Sequence, residues 1–81
     1  MGKEQDWHDR ARELYRVAQS ELLEHWSGPQ EGEAAFIKEE LEEALLDLKQ
    51  AVIDDRKDDA SMYEVEVVRN LTELRDLWED R

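Results

Sequence analysis

The sequence predicts an all-α protein: an antiparallel three-helix bundle that forms one domain over residues 1–81. Apolar residues recur at spacings of three and four in three separate segments, which is the period of amphipathic helices. The only proline and two of the three glycines fall together in the segment 27–32, which marks one clear break. Charged residues make up 42% and hydrophobic residues 40% of the chain. We therefore expect helices at about 6–26, 33–54 and 62–79.

The first predicted helix, residues 6–26, has an apolar stripe on one face. Asp6 is the expected N-cap, because a short acidic side chain can accept a hydrogen bond from an unpaired amide of the first turn. His25 falls on the stripe and is expected in the core or at its boundary, whereas His8 is expected on the surface. The stripe consists of Trp7, Ala11, Leu14, Ala18, Leu22 and His25.

The second predicted helix, residues 33–54, has a core stripe with spacing close to a heptad seam. It also holds most of the negative charge. Residues 31–55 contain nine acidic and two basic side chains, a net charge of −7, within a chain whose net charge is −12. The core stripe consists of Ala34, Ile37, Leu41, Ala44, Leu45, Leu48, Ala51 and Val52.

The third predicted helix begins after Ser61, because Ser61 and Glu64 fit the capping-box pattern. Its stripe consists of Tyr63, Val67, Leu71, Leu74 and Trp78. The preceding segment, 54–60, has neither glycine nor proline. The alternative is therefore a helical hairpin in which the second and third helices form one long helix and the chain dimerises.

The composition and charge disfavour several classes of protein. A surface with a net charge of −12 repels phosphates, so we expect no direct binding of nucleic acid or of a membrane. No stretch approaches the roughly 20 apolar residues that span a bilayer. The polar start, Met1–Asp6, has no apolar run typical of a signal peptide. We therefore expect a cytoplasmic location.

Residues that could carry catalysis or hold a metal are sparse. The chain has no cysteine and only two histidines, which lie about 25 Å apart if one helix carries both. No serine lies in a nucleophile-elbow motif, and no glycine loop fits phosphate binding. We predict no catalytic residue, no cofactor and no metal site, and hence a protein that is not an enzyme.

One face of the second helix points away from its core stripe and combines apolar and acidic residues. At 100° per residue, Leu46 and Ile53 project almost opposite the core. Such a surface fits recognition, because apolar groups supply buried area and carboxylates steer a basic partner. The predicted partner-binding residues are Glu39, Glu42, Glu43, Leu46, Asp47, Gln50 and Ile53.

These features predict a non-catalytic acidic module that binds a basic protein surface. Its form would be an inhibitor, an antitoxin-like partner or a DNA mimic, as in small acidic proteins of phages and bacteria. The alternative is a structural protein that associates with itself, with Leu46 and Ile53 in a homodimer seam.

The segment Trp26-Ser27-Gly28 resembles the Trp-x-Gly turn of small helical-hairpin proteins exported by ESX-type systems. The resemblance covers about ten residues and includes Glu33-Ala34-Ala35-Phe36, which opens the second helix. It implies a helical hairpin and export. This sequence departs from the family in its shorter chain and first helix. Tyr63 is also followed four residues later by Val67 rather than by the acid of the family's tail signal.

Overall fold

The computed structural model describes residues 6–79 and consists of three helices. These are α1 (Trp7–His25), α2 (Gly32–Ile53) and α3 (Lys57–Glu79). They run up, down and up in a bundle of about 45 × 22 × 17 Å. The predicted three-helix bundle is confirmed, and the alternative of one long second helix is wrong. The signal-peptide prediction for the start of the chain falls mostly on residues 1–5, outside the described residues.

The ends of α1 follow the sequence prediction to within one residue. Asp6 is the N-cap, and its Oδ1 accepts a hydrogen bond of 3.0 Å from the backbone amide of His8. The amide of Trp26 donates to the carbonyl of Leu22 and closes the last turn. α2 begins at Gly32, whose φ of 66° lies in the left-handed region where only glycine is free of strain.

The connection between α2 and α3 is a three-residue reversal at Asp54, Asp55 and Arg56. The amide of Arg56 donates to the carbonyl of Ala51, and the amide of Asp55 donates to that of Val52. This pair of hydrogen bonds is the Schellman motif that ends many helices. Its central residue is Asp55, with a φ of 61°. Aspartate tolerates this conformation better than most residues, so the chain turns here without glycine.

The predicted start of the third helix is wrong: α3 begins at Lys57 rather than after Ser61. The Schellman turn already reverses the chain at Asp55, so the next helix can begin two residues later. Asp58 and Asp59 lie in its first turn, where acidic side chains favour the positive end of the helix. Ser61 is therefore an exposed residue inside α3, and the capping box does not form.

The core is a single apolar cluster to which all three helices contribute, and α2 and α3 share the most extensive interface. Alanines recur in this cluster, and their small side chains allow the helices to approach closely. Trp26, Ala60 and Asn70 are buried although they lie outside the predicted core stripes. The buried apolar residues are Ala11, Ala18, Leu22, Trp26, Ile37, Leu41, Ala44, Leu45, Leu48, Ala51, Ala60, Val67, Leu71 and Leu74.

Polar contacts join α1 to α3 and to the turn between α2 and α3. Near its start, His8 Nε2 lies 2.7 Å from Asp55 Oδ1. Arg10 Nε lies 3.8 Å from Glu64 Oε1 of α3. Towards its end, both carboxylate oxygens of Glu21 accept hydrogen bonds from Arg75. Within residues 6–79, no ion pair joins α1 to the body of α2.

Trp26 and Trp78 lie at the same end of the bundle, because α1 and α3 run in the same direction. Their ring centroids are 5.8 Å apart in an edge-to-face arrangement, and the ring of His25 is tilted against that of Trp78 with the centroids 4.5 Å apart. Trp26 is buried as a core plug at 2% exposure, whereas Trp78 covers it from outside and is 40% exposed. His25 is half-buried and lies at the core boundary, as expected.

Replacing Leu48 by alanine should destabilise the bundle strongly. Leu48 is fully buried, so its truncation removes packing and leaves a cavity that costs roughly 2–5 kcal/mol. The matched control is Leu46→Ala, two residues earlier on the exposed side, which should cost less than about 0.5 kcal/mol. Urea unfolding followed by circular dichroism measures both values, and equal losses would contradict the core assignment.

Candidate functional site

The outer face of α2 consists of the seven residues that the sequence predicts as partner-binding. All seven are exposed: Glu39, Glu42, Glu43, Leu46, Asp47, Gln50 and Ile53. Leu46 is 63% and Ile53 65% exposed, which is high for aliphatic side chains of this size. They are seven residues apart, two helical turns, and so they lie one above the other on the helix.

The carboxylates of this face form a rim beside the two apolar residues. Glu39, Glu43 and Asp47 follow one another at a spacing of four residues, and Glu42 lies on the other side of Leu46. Within residues 6–79, none of these four carboxylates forms an ion pair with a basic side chain. Gln50 donates to the Asp54 carboxylate at 3.2 Å. The negative charge of the rim is therefore available to an external partner.

A groove between α1 and α2 borders this outer face. It contains two surface depressions, of about 460 Å³ and 520 Å³, and Tyr15 lines both of them. Leu46 lines the first and Ile53 the second. The two depressions together form the α1–α2 groove, which extends from His8 and Asp55 at one end to Trp26 and Ser27 at the other.

The walls of the α1–α2 groove are apolar with separate charges along them. Leu23 of α1 is 70% exposed and faces the first depression opposite Leu46. Charged side chains of both signs also line the groove: Lys38, Lys49, Arg12, Glu42 and Asp55. Of the seven predicted residues, Glu42, Leu46 and Ile53 line the groove. Leu23 and Tyr15 of the α1 wall were not predicted, because neither lies on the apolar stripe that defined α1.

A second apolar region lies between α1 and α3. It is a depression of about 550 Å³ lined by Leu14, Val65 and Val68, with Arg10, Arg69 and Glu64 around it. Val65 is 66% and Val68 50% exposed. This α1–α3 groove has two arginines and one glutamate among its lining residues, so it lacks the acidic rim of the outer face of α2.

His8 lies at one end of the α1–α2 groove, on the surface as predicted, and bridges two carboxylates. Its Nδ1 lies 2.8 Å from Asp6 Oδ1 and its Nε2 lies 2.7 Å from Asp55 Oδ1. The ring also stacks on Trp7 at 3.9 Å. The hydrogen bond to Asp6, followed by that to Asp55, raises the pKa of His8, and the same contact with His8 lowers the pKa of Asp6. A protonated imidazole can donate to both carboxylates at once.

The described residues offer no metal centre and no membrane span. Within residues 6–79, no three histidine, cysteine, aspartate or glutamate side chains come together in a way that could hold a metal ion. Glu21 lies one helical turn from His25, and its carboxylate accepts hydrogen bonds from Arg75. No helix of residues 6–79 is both long and apolar enough to cross a membrane.

Comparison of the chain with protein-family models, curated proteins and solved structures gave no significant match.

The His8 bridge predicts a defined pH dependence of stability. Folding raises the pKa of His8, so the protonated imidazole stabilises the folded state. This stabilisation is fully present below the unfolded pKa of about 6.5 and is lost as the pH rises through the folded pKa. Folding lowers the pKa of Asp6, so the ionised carboxylate stabilises the folded state. This stabilisation is present above about pH 4 and is lost as the pH falls through the folded pKa.

The stability advantage of the wild type over His8→Gln should thus be largest between about pH 4 and pH 6.5. Urea midpoints measured from pH 3 to pH 9 test this. The control is Asp55→Asn, which keeps a residue that tolerates the left-handed turn but removes one carboxylate. Adding His8→Gln to Asp55→Asn should change the pH profile less than His8→Gln does alone. An advantage that grows above pH 7 would contradict the bridge.

Proposed function

We propose that this protein is a non-catalytic binding module that engages a basic protein surface through the outer face of α2. The observation that carries the proposal is the exposed pair Leu46 and Ile53 beside carboxylates without basic partners in the described structure. An apolar strip supplies the area whose removal from water favours association. The carboxylate rim accelerates encounter with a basic partner and disfavours acidic ones.

The charge distribution supports an inhibitor or antitoxin-like role. Acidic side chains extend from Glu33 to Asp54, about 30 Å of helix at 1.5 Å per residue. A row of carboxylates on a rod can occupy the phosphate sites of a basic protein, in the manner of a DNA mimic. Such a protein would block its partner by covering a nucleic-acid-binding surface and would itself need no reactive group.

The second candidate function is self-association. The two-turn spacing of Leu46 and Ile53 fits a dimer seam, since residues seven apart face a partner helix in a coiled coil. However, a seam on this face would bring the acidic rims of two copies together, each from a chain with a net charge of −12. Like charges in close contact oppose association. Charge therefore favours a basic partner over a second copy.

Reversing two charges of the rim should weaken binding to basic partners. The variant Glu43→Lys, Asp47→Lys changes the charge by four units on the proposed surface, and we expect affinity to fall on the order of tenfold or more. The matched control is Glu73→Lys, Asp76→Lys, which makes the same change on exposed positions of α3.

The immobilised chain is used to retain basic proteins from a bacterial lysate at rising salt, with identification by mass spectrometry. Proteins lost with the α2 variant, kept with the α3 variant and released by salt support the proposal. Equal loss with both variants, or retention that ignores salt, would refute recognition by the rim.

The isolated chain should sediment as a monomer at physiological salt. Sedimentation velocity at rising protein concentration measures this, with Leu46→Glu as the comparison. A wild-type dimer that Leu46→Glu converts to a monomer would instead establish the self-association function.

A further inference from the structure

We propose that the partner contributes an amphipathic α-helix that lies along the α1–α2 groove, with lysine or arginine on the flank that faces the outer face of α2. This inference deepens the proposed function and rests on it, because it names the element that a basic partner would present. It also extends the contact surface beyond the seven predicted residues to the facing wall of α1.

The dimensions of the groove fit a helix. Its lining residues on α1 extend from His8 to Ser27, about 28 Å at 1.5 Å per residue. A helix of about 18 residues has nearly the same length. Both walls of the groove are themselves helices, so a third helix can pack its side-chain ridges between theirs.

The apolar side chains of the groove are spaced for a helical ligand. Leu46 and Ile53 are about 10.5 Å apart along α2, the distance covered by seven residues of a partner helix. Leu23 faces the groove from the opposite wall, and Tyr15 lines both of its depressions. A partner with apolar residues at positions i, i+3 or i+4 and i+7 could cover all four side chains, as in other helix-in-groove complexes.

Charge complementarity selects the occupant and its orientation. Glu39, Glu43 and Asp47 lie outside the lining of the groove, on the far side of Leu46. The charged side chains of α2 that line the groove are Lys38, Glu42 and Lys49. A partner helix therefore needs basic residues on its outer flank only, and uncharged or acidic residues on the other. A second copy of this acidic chain fits this requirement less well than a basic protein does.

The α1–α3 groove provides an internal control for apolar exposure. It also exposes aliphatic side chains, Val65 and Val68, but Arg10 and Arg69 lie beside them. Basic side chains line both grooves, so the feature that distinguishes the α1–α2 groove is the carboxylate rim on the outer face of α2 beside it. If exposed apolar area alone determined binding, the two grooves would compete for the same ligand. If the acidic rim also matters, only the α1–α2 groove binds it.

Two synthetic peptides of about 18 residues test the inference. The striped peptide has leucines at heptad spacing, lysines on one flank and glutamines on the other. The scrambled peptide has the same composition without a stripe. Calorimetry at low and physiological salt gives affinities, circular dichroism reports helix formation by the peptide, and amide chemical shifts locate the contact.

We expect the striped peptide to bind more tightly, to become helical and to shift resonances on both walls of the groove. Leu46→Glu and Ile53→Glu should each weaken binding roughly tenfold, because each places a charge in an apolar contact. Val65→Glu and Val68→Glu, on equally exposed positions of α3, should leave the affinity unchanged. Thermal melts of all four variants establish that each is folded.

The outcomes separate this inference from the proposed function. If both peptides bind equally and only Glu43→Lys, Asp47→Lys weakens them, the acidic rim is a binding surface but the groove is not a helix site. If the valine variants weaken the striped peptide and the leucine variants do not, the α1–α3 groove is the site. If neither peptide binds at low salt, both the groove and the rim lose their assigned role.

Discussion

Between α2 and α3 the chain reverses within three residues, and the rest of the bundle depends on this turn. The Schellman hydrogen bonds from Arg56 and Asp55 close the end of α2 and let α3 begin at Lys57. So short a connection requires the two helices to pack side by side, which buries the alanines and leucines of their facing sides. The same turn directs the Asp55 carboxylate to His8, so that one residue both reverses the chain and anchors the start of α1.

The position of α1 on this hairpin is asymmetric. Its interhelical ion pairs join α3 through Glu64 and Arg75 and the turn through Asp55, whereas its contact with α2 within the described residues is apolar. One side of α1 is thus fixed by directional contacts and the other borders a groove. Because apolar packing is not directional, the α1–α2 side can accept additional apolar groups without breaking a hydrogen bond. This asymmetry is the structural reason for assigning recognition to that side.

The negative charge of the chain is concentrated on α2, the helix that borders the same groove. A small bundle needs charged residues for solubility, but solubility alone does not require them on one helix. Residues 31–55 hold a net charge of −7. The carboxylates of the α2 rim have no basic partner in the described structure, whereas Asp9, Glu13 and Glu21 of α1 each pair with an arginine. A basic partner would therefore form its most favourable electrostatic contacts with α2.

The amino-acid sequence by itself determined the number of helices, the core stripes and the outward direction of Leu46 and Ile53. Each of these follows from helical periodicity, which is local and can be counted along the chain. Tertiary structure decided the start of α3, the bridge made by His8 and the wall that α1 contributes to the groove. The capping-box prediction at Ser61 failed because a local motif competed with the turn at Asp55, whose hydrogen bonds depend on where α2 ends. His8, Leu23 and Tyr15 acquire their contacts from the packing of α1 against distant residues, and spacing along one chain does not contain that information.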